Sequence, residues 1–170
     1  MIKILIPVDG SECALAAVRH AGFLFAEGGI SEVLLFNVQP ALETGRAAAF
    51  HSRAELRDLE IREGTLALQE ASRILSDAGA SYSIMIGTGA PAKTIVAAAL
   101  SAGCDGVVIG ASLWTQIKAR FGGGLPAQVM RCTSVPVTVV KSVRASKRAG
   151  HPLAEPVHTL PSPNMVPILE

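Results

Sequence analysis

Glycine-bearing turns mark the places in this 170-residue chain where an anion could be held. Gly110 closes the short apolar run Gly106 to Ile109, and further on Gly122-Gly123-Gly124 stands directly before Leu125-Pro126, where a helix is expected to begin. Backbone N–H groups unhindered by side chains, together with the positive end of a helix dipole, favour a phosphate. Lys118 and Arg120 could supply charge there; the alternative is that the triple glycine is a flexible connection and both basic residues are solvated. The other polar position is Asp9, in Asp9-Gly10-Ser11-Glu12 after the apolar run Ile2 to Val8. Asp9 or Ser11 can cap the following helix, with Glu12 spaced from Asp9 as in a capping box. Equally, Asp9 is a polar group presented at the C-terminal end of a central strand.

The motifs of nucleotide-hydrolysing, metallopeptidase and serine-hydrolase sites are missing: there is no Gly-x-x-x-x-Gly-Lys-Ser/Thr, no His-Glu-x-x-His and no Gly-x-Ser-x-Gly. Neither Ser11 nor Ser112 has a sequence-evident base. No catalytic residue is assigned, and no enzyme is expected beyond slow ATP hydrolysis. The histidines are scattered: His20 falls within the first helix, His51 at a loop boundary, and His151 and His158 near the C-terminus. No metal site is expected from them; Asp9 could support a Mg²⁺ carried by a nucleotide, if one binds. Cys13, Cys104 and Cys132 are an odd set at wide spacing without a CxxC pair, which reads as reduced core thiols in a cytoplasmic protein.

The elements that must position these residues follow from periodicity. Ile2 to Val8 and Glu32 to Val38 are nearly continuous apolar runs, the mark of parallel strands covered on both faces. Between them Ala14, Val18, Ala21 and Phe25 recur at helical spacing through Ala26, and Gly28-Gly29 stops the helix. The segment from Gln39 to Phe50 loses clear periodicity, with Thr44-Gly45 as a mobile connection. A long helix is expected over Ser52 to Asp77, with Leu56, Leu59, Leu66, Leu68, Ile74 and Leu75 as its apolar set. Glu55, Arg57, Asp58, Glu60, Arg62 and Glu63 form its solvated face. Ser81 to Ile86 alternates, as a strand near a sheet edge would, and Gly87 to Pro91 turns into a small apolar helix from Pro91 to Ala102. The strand Gly106 to Ile109, the glycine loop, a helix from about Leu125 to Arg131 and the strand Val137 to Val140 complete the pattern. Strands and helices in alternation imply an α/β domain, a parallel sheet with helices on both faces, spanning residues 1–143.

Composition sets the remaining limits. With 49% hydrophobic and 17% charged residues the chain can bury one substantial core, and a formal net charge of +1 gives no reason to expect a nucleic-acid partner. No apolar run reaches membrane-spanning length, so no membrane partner is expected. Nor does the start resemble a signal peptide. Residues 144–170 differ from the rest: Arg144, Lys147 and Arg148 precede prolines at 152, 156, 161, 163 and 167, a tail that is flexible or docks its apolar end on the domain or a neighbouring subunit.

Taken together, Pro7-Val8-Asp9-Gly10-Ser11, the strand ending at Val38, Gly89-Ala90-Pro91, Val108-Ile109-Gly110, Val129-Met130-Arg131 and Val135 to Val140 resemble the universal stress protein family over about residues 1–141. The resemblance implies a Rossmann-like, open five-stranded parallel sheet in the order 3-2-1-4-5, with Asp9 and Gly110 across one crevice. It also implies a non-enzymatic stress-response or signalling protein, a homodimer paired through Pro136, Val137, Thr138, Val139 and Val140, with a protein partner not identified by sequence. The alternative it carries is a regulator binding ATP or AMP. Adenine would lie against Pro7, Val8, Asp9 and Val38, and the phosphates near Gly110, Ala111, Gly123, Gly124 and Leu125. This chain departs from the family's phosphate pattern: Leu113 stands for its second glycine and Gly124 for its Ser or Thr, with Trp114 adding bulk. Losing a hydroxyl bonded to phosphate costs roughly 1.5–3 kcal/mol, about tenfold to a hundredfold in affinity, which makes the nucleotide-binding loop degenerate.

Overall fold

The computed structural model describes residues 1–40, 52–110 and 125–141. Thr44-Gly45, His51, the loop from Ala111 to Gly124 and the tail lie outside them. The described elements are β1 (Lys3–Pro7), α1 (Glu12–Ala26), β2 (Glu32–Gln39), α2 (Arg53–Asp77), β3 (Tyr82–Thr88), α3 (Pro91–Ser101), β4 (Gly106–Gly110), α4 (Leu125–Cys132) and β5 (Val137–Val140). All strand pairs are parallel, in the order β3-β2-β1-β4-β5.

The unbroken apolar runs of β1 and β2 are explained by where alternate side chains go. Ile4, Ile6, Val33 and Leu35 join one core with α1 and α2, whereas Leu5, Leu34 and Phe36 join another with α3 and α4. Each of these strands therefore has two apolar faces, and each fully buried Leu, Ile or Phe contributes about 1.5–3 kcal/mol of transfer free energy. β3, expected at an edge, is an edge, and its residues are only partly covered. It runs on through Gly87 and Thr88, where a turn was expected, because these residues still pair with Val38 and Gln39.

The structure decides between the two cap candidates of α1 and corrects other local expectations. Ser11, not Asp9, caps α1: its hydroxyl accepts from Ala14 N at 3.3 Å. Asp9 instead accepts the Ser11 N–H on Oδ1 at 3.0 Å, because Gly10, at φ 76°, turns the chain between them. The capping box lies on α2, where Ser52 Oγ accepts from Glu55 N at 3.3 Å and Glu55 Oε2 from Ser52 N at 2.8 Å. The buried stripe of α2 runs Leu56, Glu60, Gly64, Leu68, Ala71, Leu75. Leu59 and Leu66 fall off it and are exposed, while Glu60, expected in solvent, is only 8% exposed. Its spacing of four residues from both Leu56 and Gly64 keeps it on the packed side. Of the cysteines, Cys104 is buried and burial pushes its thiol pKa up. Cys13 is half-buried, and Cys132 is exposed at the end of α4, so the expectation of three core thiols fails there.

At the N-terminal ends of the strands, Lys3 Nζ lies 2.9 Å from Glu32 Oε1, which also accepts from Ser83 Oγ at 3.2 Å. The hydrogen bond from Lys3 holds the Glu32 carboxyl below its ordinary range. Stability from this group is therefore present above the unfolded carboxyl pKa and lost as pH falls through the lower folded value. Both side chains are partly exposed, so the effect is modest. Thermal melts of wild type and Glu32→Gln are expected to differ most near neutral pH and to draw together as the pH falls below the ordinary carboxyl range; a difference that does not change with pH would show that the ionised pair contributes nothing.

Candidate functional site

In an open parallel sheet, ligands meet the carboxyl ends of the strands where the strand order reverses. Here that point lies beside β1, which has β2 on one side and β4 on the other. β1 and β4 are paired only at Ile4 with Gly106 and Leu5 with Val107, so their carboxyl ends lie beyond the paired rungs. β1 and β2 stay paired to Pro7 and Phe36, and Val8 N donates to Phe36 O at 2.8 Å.

Beyond those ends is a small cleft of about 80 Å³, lined by Pro7, Val8, Asp9, Phe36, Asn37, Val38, Pro91, Ile95 and Leu125. Pro7, Val8, Asp9, Val38 and Leu125 were expected from sequence, and the fold brings them together. Phe36 and Asn37 were not singled out, although they adjoin Val38. Pro91 comes from the turn that opens α3, and Ile95 follows one helical turn later; only the packing of α3 against the sheet could place it here. The lining is mostly apolar, and its one charged residue is the exposed Asp9. An ionised carboxylate only accepts hydrogen bonds, so this arrangement suits a flat apolar ring bearing donor groups, such as an amine or a sugar hydroxyl. A phosphate would meet repulsion from Asp9.

Gly110 ends β4 but does not line the cleft. A Cβ there would land on the backbone carbonyl of Cys13 and within 2.6 Å of Ala14 N. The first turn of α1 thus packs directly on the end of β4, and this glycine has a steric duty of its own. Ala111, Gly123 and Gly124 lie outside the described residues, as do Leu113, Trp114, Lys118 and Arg120.

β5, the other expected interface, is the edge strand beside β4. Thr138 and Val139 are exposed, Val137 and Val140 half-buried. Pro136 precedes the strand and is exposed; its carbonyl accepts from Val107 N at 2.9 Å.

Gly110→Ala is expected to destabilise the fold by about 1–3 kcal/mol, as overpacking does, measured by denaturant unfolding. An unchanged midpoint would show that α1 and β4 separate easily.

With this geometry, comparisons with known proteins place the chain. It is 27% identical over 141 residues to the universal stress protein MJ0531 of Methanocaldococcus jannaschii, covering 82% of this chain and 81% of that one. It is also 27% identical over 153 residues to MJ0577 of the same organism, covering 82% of this chain and 94% of that one. The solved structure of MJ0577 superposes with a TM-score of 0.68 at 28% identity, over 85% of this chain and 98% of that one. A universal stress protein in complex with cAMP has the same fold, with a TM-score of 0.60 at 23% identity over 82% of this chain and 96% of that one. The family model for universal stress proteins matches residues 1–141, and the chain belongs to the universal stress protein family.

Proposed function

We propose that this protein is a non-enzymatic stress-response protein whose cleft takes the adenine and ribose of an adenine mononucleotide, with the phosphate chain contributing little. The observation that carries this reading is the cleft: a mostly apolar slot at the ends of β1 and β2 whose one charged lining residue is Asp9. A relative of the same fold is in complex with cAMP, an adenine mononucleotide. The phosphate side is where this chain departs from the family's pattern, at Leu113 and Gly124. The binding unit is residues 1–143, with 144–170 as an appended tail. Base and ribose contacts then set the affinity, and the output is a change in contacts with a partner rather than turnover.

Equilibrium titration with fluorescent AMP and ATP analogues up to millimolar concentration tests this. The two are expected to bind within about tenfold of each other, and Asp9→Ala to weaken both by about tenfold or more through loss of a charged acceptor. Absence of saturable binding sinks the nucleotide reading. ATP binding more than about a hundredfold tighter than AMP would show instead that the phosphates are gripped.

The position of β5 favours a second element of the proposal, a homodimer formed through that strand. Among the described residues β5 has a strand on one side only, an edge suited to backbone pairing, and Val139 and Thr138 there are uncharged. Sedimentation at micromolar concentration is expected to show a dimer that Val139→Lys shifts toward monomer. A wild-type protein that sediments only as monomer, with and without nucleotide, removes the dimer.

A further inference from the structure

Asn37 and Glu60 are the buried polar residues among those described, and Asn37 is only 3% exposed. It interrupts the otherwise apolar run of β2. Its Nδ2 donates to Val8 O at 2.7 Å, and its Oδ1 accepts from Gln39 Nε2 at 2.7 Å. A carbonyl can only accept, so the Val8 bond fixes which way the amide points. Val8 is therefore held by β2 at both its polar groups: its N–H by the Phe36 carbonyl and its C=O by the Asn37 side chain. The ladder between β1 and β2 is continued past its last paired rung by a side chain.

A mid-helix glycine in α2 belongs to the same device. A Cβ on Gly64 would lie 3.1 Å from Asn37 Oδ1 and 2.9 Å from two carbons of Ile86. The missing side chain lets α2 close over Asn37 on the sheet face opposite α3. Val8 and Asp9 line the cleft that α3 helps to form, as does Asn37 itself. The carbonyl that Asn37 holds belongs to the peptide joining Val8 to Asp9, so its orientation sets where Asp9 starts.

We propose that Asn37 is a positioning residue for the cleft: from under α2 it locks the Val8–Asp9 peptide and so sets where the Asp9 side chain leaves the chain. The consequence for affinity rests on the nucleotide reading above; the lock does not.

Hydrogen exchange by NMR on the full-length ¹⁵N-labelled protein tests it. In the wild type the Asn37 side-chain amide is expected to exchange about a hundredfold or more slower than a free amide. Asn37→Leu, close in volume, should raise exchange at the Val8 N–H about tenfold while leaving Leu5 and Ile6 unchanged, as a local opening would. Gly64→Ala, which presses on Oδ1 from α2, should give the same local pattern if Asn37→Leu does not fold. A freely exchanging Asn37 amide overturns the proposal, as does uniform loosening of β1 in the variants, the mark of a merely structural residue. With AMP as probe, the locally loosened variant should bind about tenfold more weakly; unchanged affinity would break the link to the site. A wild type that binds no AMP would remove the nucleotide reading, and the exchange pattern would still decide the lock.

Discussion

Between β2 and β4, with α1 and α2 over one face and α3 and α4 over the other, β1 has neither a free edge nor a free face. Its side chains are committed alternately to two cores, with Leu5 and Ile6 inaccessible to solvent on opposite sides. A slip of one residue would exchange those faces and put both cores out of register. That constraint holds the end of β1 at one height, so the turn Asp9-Gly10-Ser11 always emerges at the same place. The start of α1, the cleft and the contact with Gly110 all depend on it.

The carboxyl end of the sheet is built with very little slack. On the β4 side, α1 approaches so closely that only glycine fits at position 110. On the β2 side, a buried asparagine continues the strand pairing, and a glycine in α2 makes room for it. Gly87 repeats the theme, since a Cβ there would lie 2.7 Å from the Phe36 ring. Glycine in a helix interior costs about 1 kcal/mol relative to alanine. Gly64 shows what that cost secures: close packing of a helix on a buried polar side chain whose hydrogen bonds lie within the sheet.

The cleft is mostly apolar with Asp9 as its one charged lining residue, suited to a ring with donor groups. Beyond Gly110 the sequence has Leu113 and Gly124 where the family's phosphate pattern, taken from the resemblance, has Gly and Ser or Thr. A ligand held chiefly by its ring fits both observations better than one held chiefly by its phosphates.

Much of the architecture was legible from residues alone. Strands buried on both faces are apolar runs, helices carry a stripe, and a glycine follows α1, α2 and α3, so β1, α1 and β2 could be drawn from periodicity. The strand order and the meeting of Asp9 with Val38 came through family resemblance, since pairing between distant segments leaves no local trace. Other features belong to tertiary structure because they are relations between surfaces. Glu60 reads as one charge among many until the packed stripe of α2 is known, and Cys132 reads as core until its helix is seen to turn it outward. Ile95 reaches the cleft only because α3 lies against the sheet. Asn37 and Gly64 look like flaws in a strand and a helix, each disfavoured where it stands. Their reason is visible only when the two elements are packed together, because each makes room or a bond for something far away in the chain.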